Sequence, residues 1–207
     1  MLGINLRNET KVGLLYALKR FTERATGDML LPVKQNGQDE ETPGPRPAQV
    51  YLTQLPDLES YRKKAPFILH QAVTGMDELA SVNGRTGTAG RVELSSSAVI
   101  RSVFCVYHPD GQEGGLALLN LMEEMRTALL TFPILDRVFA LDLKEGIDQM
   151  IYPETGERGT APFYMGEMVT SWKLPSIKRL DAARVIHGLP PVDPMAKHDE
   201  ELLHEKG

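Results

Sequence analysis

The residues of this chain that could do chemistry are few, and each candidate lacks a partner that its chemistry would need. The loop Asn83-Gly84-Arg85-Thr86-Gly87-Thr88-Ala89-Gly90-Arg91 has the glycine density of a phosphate cradle. A cradle, however, needs a strand before it and a helix after it whose N-terminus faces the anion, and the following VELSSSAVIRSVFCV reads as strand. The loop is therefore expected to be a hairpin-like connection. Arg85 and Arg91 are then candidates for touching a partner chain or a DNA backbone, with plain solvation as the competing account. No serine lies in a Gly-x-Ser-x-Gly elbow. Cys105 falls within an apolar strand, where a thiol is ordinarily inert.

Metal chemistry fares no better. The five histidines show no HExxH spacing. His187, His198 and His204 share the C-terminal stretch with Asp199, Glu200 and Glu201, and the combination reads as a charged tail. Asp142, Glu145 and Asp148 imitate a divalent-metal site after a strand, but no histidine or second carboxylate group stands near them in sequence, so a solvated turn is expected. The expectation is a non-enzyme with no catalytic residues, no cofactor and no metal.

Composition narrows the classes further. The 207 residues are 42% hydrophobic and only 6% aromatic, with 18 glycines and 14 prolines, so burial must rest on Leu, Val, Ile and Met. One cysteine allows no internal disulfide and suits a reducing compartment. The N-terminus MLGINLRNETKVGLL is unlike a signal peptide, and no apolar run is long enough to span a membrane, so a cytosolic origin is expected with no membrane partner. A net charge of −5 without a Lys/Arg cluster argues against tight duplex binding. Charge is polarised along the chain: residues 1–34 carry six cationic and three acidic side chains, residues 181–207 the reverse.

The elements that must position these groups follow from periodicity. Val12, Leu15, Leu18 and Phe21, with Leu14 beside them, predict an amphipathic helix from about Asn8 to Ala25, with Gly27 as a left-handed stop. Pro32, Pro43, Pro45 and Pro47 make 32–49 a linker or long loop, which leaves the helix to dock on its own domain or on a neighbour's. Short strands are expected at Val50-Tyr51-Leu52 and at Phe67-Ile68-Leu69-His70. Ala98 to Tyr107 reads as a covered central strand with Ile100, Phe104 and Val106 on one face and Val99, Val103, Cys105 and Tyr107 on the other. Arg101 and Ser102 are its two polar exceptions. Leu118, Met122, Met125 and Leu129 predict a helix from about Glu113 to Leu130, stopped by Pro133; the methionines read as core filler. Val138 to Leu143 is a further strand, and Phe163 to Leu174 a last one ended by Pro175. A short helix is expected from Asp181 to His187.

The order of these pieces resembles the tail terminator proteins of long-tailed bacteriophages and prophages. The resemblance lies in Leu118 to Arg126 (a Leu/Met-striped helix with an arginine in its second half), in the exit Leu129 to Leu135, and in Tyr164, Gly166, Glu167, Trp172 and Pro175 of the last strand. It covers residues 50–179 at most. It implies an α/β (α+β) subunit with a mixed, mainly antiparallel sheet flanked by helices, forming a homo-oligomeric ring, commonly a hexamer. The ring would cap the tail tube, stop its polymerisation and join the neck or head-completion protein, with DNA passing through the lumen without specific binding. The implied location is the virion, at the head-proximal end of the tail, after synthesis in the host bacterial cytoplasm. Phe163 and Trp172 are candidate interface anchors, since large aromatics dominate hot spots, with core packing competing for Trp172. Expected boundaries are 1–31 for the N-terminal helix, 32–49 for the Pro-rich loop, 50–180 for the compact core and 181–207 for a short helix and tail. Alternative readings are another neck component, such as a head-closure or head-tail joining protein, or a small nucleotide- or metal-binding enzyme.

Overall fold

The computed structural model describes residues 10–34, 44–56, 64–79, 93–152 and 162–178. Arg85, Arg91, the tail histidines and the helix expected at Asp181–His187 lie outside them. Among the described residues are two helices, α1 (Lys11–Ala25) and α2 (Gly111–Thr131). Seven strands accompany them: β1 (Gln49–Leu52), β2 (Phe67–Leu79), β3 (Glu93–Tyr107), β4 (Ile134–Leu135), β5 (Phe139–Leu141), β6 (Ile147–Ile151) and β7 (Phe163–Lys178). The strands form one mixed, mainly antiparallel sheet in the order β1-β2-β3-β7-β5-β4, with β6 also paired to β7, so the fold is α+β.

β1 lies parallel to β2, Gln49 opposite Phe67 and Leu52 opposite His70. On the far side β7 holds two antiparallel partners end to end. β6 covers Gly166–Thr170 and β5 covers Trp172 and Lys173. The chain divides into two compact units, Met1–Met76 with Ser96–Pro175, and Asp77–Ser95 with Ser176–Gly207. Both hydrophobic clusters belong to the first.

Alternation along the strands sorts side chains onto two faces. Ala98, Ile100, Phe104 and Val106 of β3 and Tyr164, Met168 and Trp172 of β7 join Leu14, Leu18 and Phe21 of α1 and Leu118, Leu121, Met122, Met125 and Leu129 of α2 in the main core. On the other face Phe67, Leu69, Val103, Cys105 and Phe163 form a second, smaller cluster. Both helices thus bury their stripes on one face. α1 packs on its own subunit, against β1, β4 and α2, and is part of the core that was expected to begin near residue 50.

The helix ends have local causes. α1 ends without the expected left-handed glycine: the Thr26 hydroxyl donates to the Thr22 carbonyl (2.9 Å) and the Thr22 hydroxyl to that of Leu18 (2.8 Å), which occupies carbonyls of the last turns. α2 begins two residues before the predicted start, because the Asp110 carboxylate accepts the Glu113 N–H at 2.9 Å as an N-cap. At Gly114 a Cβ would run into the Tyr164 ring, so only glycine lets α2 lie this close to β7.

Three expectations about the strands need correction. β2 runs nine residues beyond His70. The acidic run after Leu141 enters a strand, β6, since Ile147 to Ile151 find a partner ladder on β7. Pro175 does not end β7, which continues to Lys178; a proline without an N–H is tolerated where no ladder needs the donor, and the β5 ladder stops at Lys173. Of the stretch 32–49, residues 35–43 lie outside the described residues, and the chain on either side of them is tied together. Leu31 and Arg46 exchange both backbone hydrogen bonds at 3.0 Å, and the Arg46 guanidinium donates to the Lys64 carbonyl at 3.0 Å.

Candidate functional site

Arg101 and Ser102, the polar exceptions of the central strand, point to opposite faces of the sheet and each meets a partner far away in sequence. On the helix face the Ser102 hydroxyl lies 2.8 Å from His70 Nδ1, and His70 Nε2 lies 3.0 Å from the Thr22 hydroxyl of α1. The donors follow by elimination. Thr22 has one hydroxyl hydrogen, given to the Leu18 carbonyl, so Nε2–H donates to the Thr22 oxygen and Nδ1 accepts from Ser102. His70, Ser102 and Thr22 are all buried. Burial lowers the His70 pKa from 6.5 to about 3, so the imidazole is neutral.

Serine beside histidine is a pairing used for nucleophilic attack. Here it is sealed between α1, β2, β3 and the Met125 side chain of α2, with no room for a substrate. The arrangement satisfies buried polar groups and fixes how α1 sits on the sheet.

On the opposite face Arg101 meets β7 and the residue that follows β6. Its Nε donates to Glu167 Oε2 at 2.6 Å and its Nη2 to the Tyr152 hydroxyl at 2.9 Å, while that hydroxyl donates to Glu167 Oε2 at 2.6 Å. The Tyr152 hydrogen bond, and then Arg101, hold the Glu167 carboxyl below its ordinary range. The triad clamps β3, β6 and β7 together at the half-exposed end of that face. The signal for it was present in the sequence as a charge within an apolar strand; its partner was not identifiable there.

The remaining candidates are structural. Trp172 is wholly buried, its indole N–H donating to the Thr170 hydroxyl at 2.9 Å. Phe163 is buried in the second cluster, its ring 5.4 Å from that of Tyr107 with the Lys34 ammonium above it at 5.9 Å. As interface anchors both are therefore corrected to core residues: each has already spent its apolar surface inside the subunit. Cys105 is buried, which pushes its thiol up to about 12. Asp142 pairs with Lys173 at 3.1 Å and accepts the Lys144 N–H, and no group of three or more metal-binding side chains converges among the described residues. No helix there is long and apolar enough to cross a membrane.

Some large apolar side chains are exposed as well. Phe132 and Ile134, in the exit from α2, are largely exposed at the lip of an open groove of about 610 Å³ between α1, α2 and β4. Ala17, Phe21 and Ala128 are among the residues that line it, and Arg24, Glu124 and Asp136 edge it. The β4–β5 turn that shapes one wall places Asp136 and Arg137 in the left-handed region, with φ of 49° and 60°. Asp136 is held to Arg20 of α1 at 2.5 Å.

No protein-family model matches the sequence, and no curated protein matches it significantly.

Proposed function

We propose that this chain is a structural subunit that acts by assembly, of the tail terminator kind: a ring that caps the tail tube of a long-tailed phage, ends its polymerisation and offers a joining surface to the neck. One observation carries the reading. The exit from α2, one of the segments that resembles the terminators, is also where Phe132 and Ile134 stand exposed beside a groove. Two large apolar side chains set together on the lip of a groove suit a partner surface. The side chains best suited to chemistry, Ser102, His70 and Cys105, are meanwhile enclosed.

The reading includes a homo-oligomeric ring, commonly of six copies, a location at the head-proximal end of the tail, and a lumen that DNA crosses without specific binding. The test combines native mass and electron imaging with a capping assay on purified tail tubes. Rings, and tubes halted at fixed length, are expected. The double variant Phe132→Ser/Ile134→Ser should lower capping by about tenfold or more while melting at the same temperature as the parent. A chain that stays monomeric with tubes present and leaves their growth unaltered refutes the proposal; binding to portal or adaptor rings without capping would favour another neck component.

A further inference from the structure

We infer that the subunit joins a second copy of itself edge to edge, the outer edge of β2 at Ala72–Met76 meeting the outer edge of β6 at Asp148–Ile151, so that one sheet runs on from copy to copy. The contact rests on the assembly reading above and supplies that reading with its subunit interface.

β1 covers β2 only from Phe67 to His70. Beyond His70 no described strand lies against that edge. From Ala72 to Met76 the side chains are exposed on both faces of the strand, Val73 at 60% and Met76 at 58%. A strand that stays single in solution usually buries one face and carries lysine, proline or a short edge to discourage pairing. Ala72-Val73-Thr74-Gly75-Met76 has no charge and no proline.

β6 is the complementary case. It pairs with β7 alone among the described strands, and Asp148, Gln149, Met150 and Ile151 are exposed, Met150 at 50%. Since the sheet runs β2-β3-β7-β6, the two open edges lie on opposite sides of it. A β2-to-β6 contact is therefore head to tail, the kind that closes into a ring or runs on as a filament according to the rotation between copies.

One pair of opposite charges meets in this contact. The Lys11 ammonium sits over Gly75, where a Cβ would strike it, while β6 carries Asp148. β2 against β6 brings the Lys11 ammonium and Asp148 together, with Asp77 and Glu78 following just beyond the open segment of β2.

Cross-linking in the full chain tests the contact, because Cys105 is its only cysteine and is buried. Ala72, Val73, Thr74 or Met76 is changed to cysteine together with Asp148, Gln149, Met150 or Ile151, sixteen pairings in all, which place one directly opposed pair in every register of the two segments, parallel or antiparallel. Native mass of the unmodified chain is measured alongside. At least one double variant should give a ladder of multimers on mild oxidation, and no single variant should. Val73→Lys should raise the concentration at which oligomers form by about tenfold or more, without lowering the melting temperature of the subunit. Oligomers by native mass with no ladder from any pairing overturn the edge contact and leave the assembly reading standing. A chain that is monomeric throughout overturns both. Dimers from Val73→Cys or Met76→Cys alone show that the β2 edges pair with each other, which also overturns it.

Discussion

His70 is the most acid-sensitive residue of the core. Its folded pKa of about 3 lies below the ordinary 6.5, so between those values the unfolded chain takes up the proton and the folded one does not. The stabilisation is complete above about pH 6.5 and is lost as the pH falls towards 3. Thermal melts should show the melting temperature dropping across that window, and His70→Gln, whatever its own stability, should flatten the slope; an unchanged slope refutes the assignment. Glu167, held low by Tyr152 and Arg101, adds a loss on the acid side of its ordinary 4.5. Ser102→Ala leaves His70 Nδ1 with no donor and should cost about 1–3 kcal/mol in denaturant unfolding. Arg101 and Ser102 were recognisable in the sequence as exceptions in an apolar strand. Glu167, 66 residues from Arg101, and His70, 32 from Ser102, were not recognisable as their partners, because pairing at that distance is set by the order of strands in the sheet.

At the scale of elements, α1 supplies Leu14, Leu15, Leu18 and Phe21 to the main core. Leu18→Ala should therefore destabilise the subunit by about 2–5 kcal/mol, read from denaturant unfolding; a change within error would mean that the helix is peripheral. Both helices were legible because a stripe at 3.6-residue spacing needs no knowledge of its partner. The stripe showed that α1 packs, not what it packs on. β6 and the second half of β2 were hidden for the opposite reason. Ile147-Asp148-Gln149-Met150-Ile151 and Gln71 to Leu79 carry charges, a glycine or exposed apolar groups and have no dominant alternation, so their strand character comes from β7 and β3 beside them. The glycine at 114 is similar. Its role as the seat of the Tyr164 ring belongs to a contact 50 residues long, not to local sequence.

On the scale of the whole molecule, the main core draws on α1, β1 to β5, α2 and β7, so the fold of the first unit should be lost in one step. β7 is the strand on which this depends: it separates β3 from β5 and β6, and β6 has no other described partner. A chain stopped at residue 160 should show no cooperative melting transition by circular dichroism, even though both helices and six of the seven described strands are encoded before that point. A sharp transition in that truncated chain would show that the sheet closes without β7. The position of β7 also has a meaning in time. Chain emerges from the ribosome N-terminus first, and the strand needed in the middle of this sheet is the last of the described strands to appear. Until β7 has emerged, β5 and β6 wait without the strand they pair with, so a nascent chain that already carries both helices and six described strands still has an unfinished sheet.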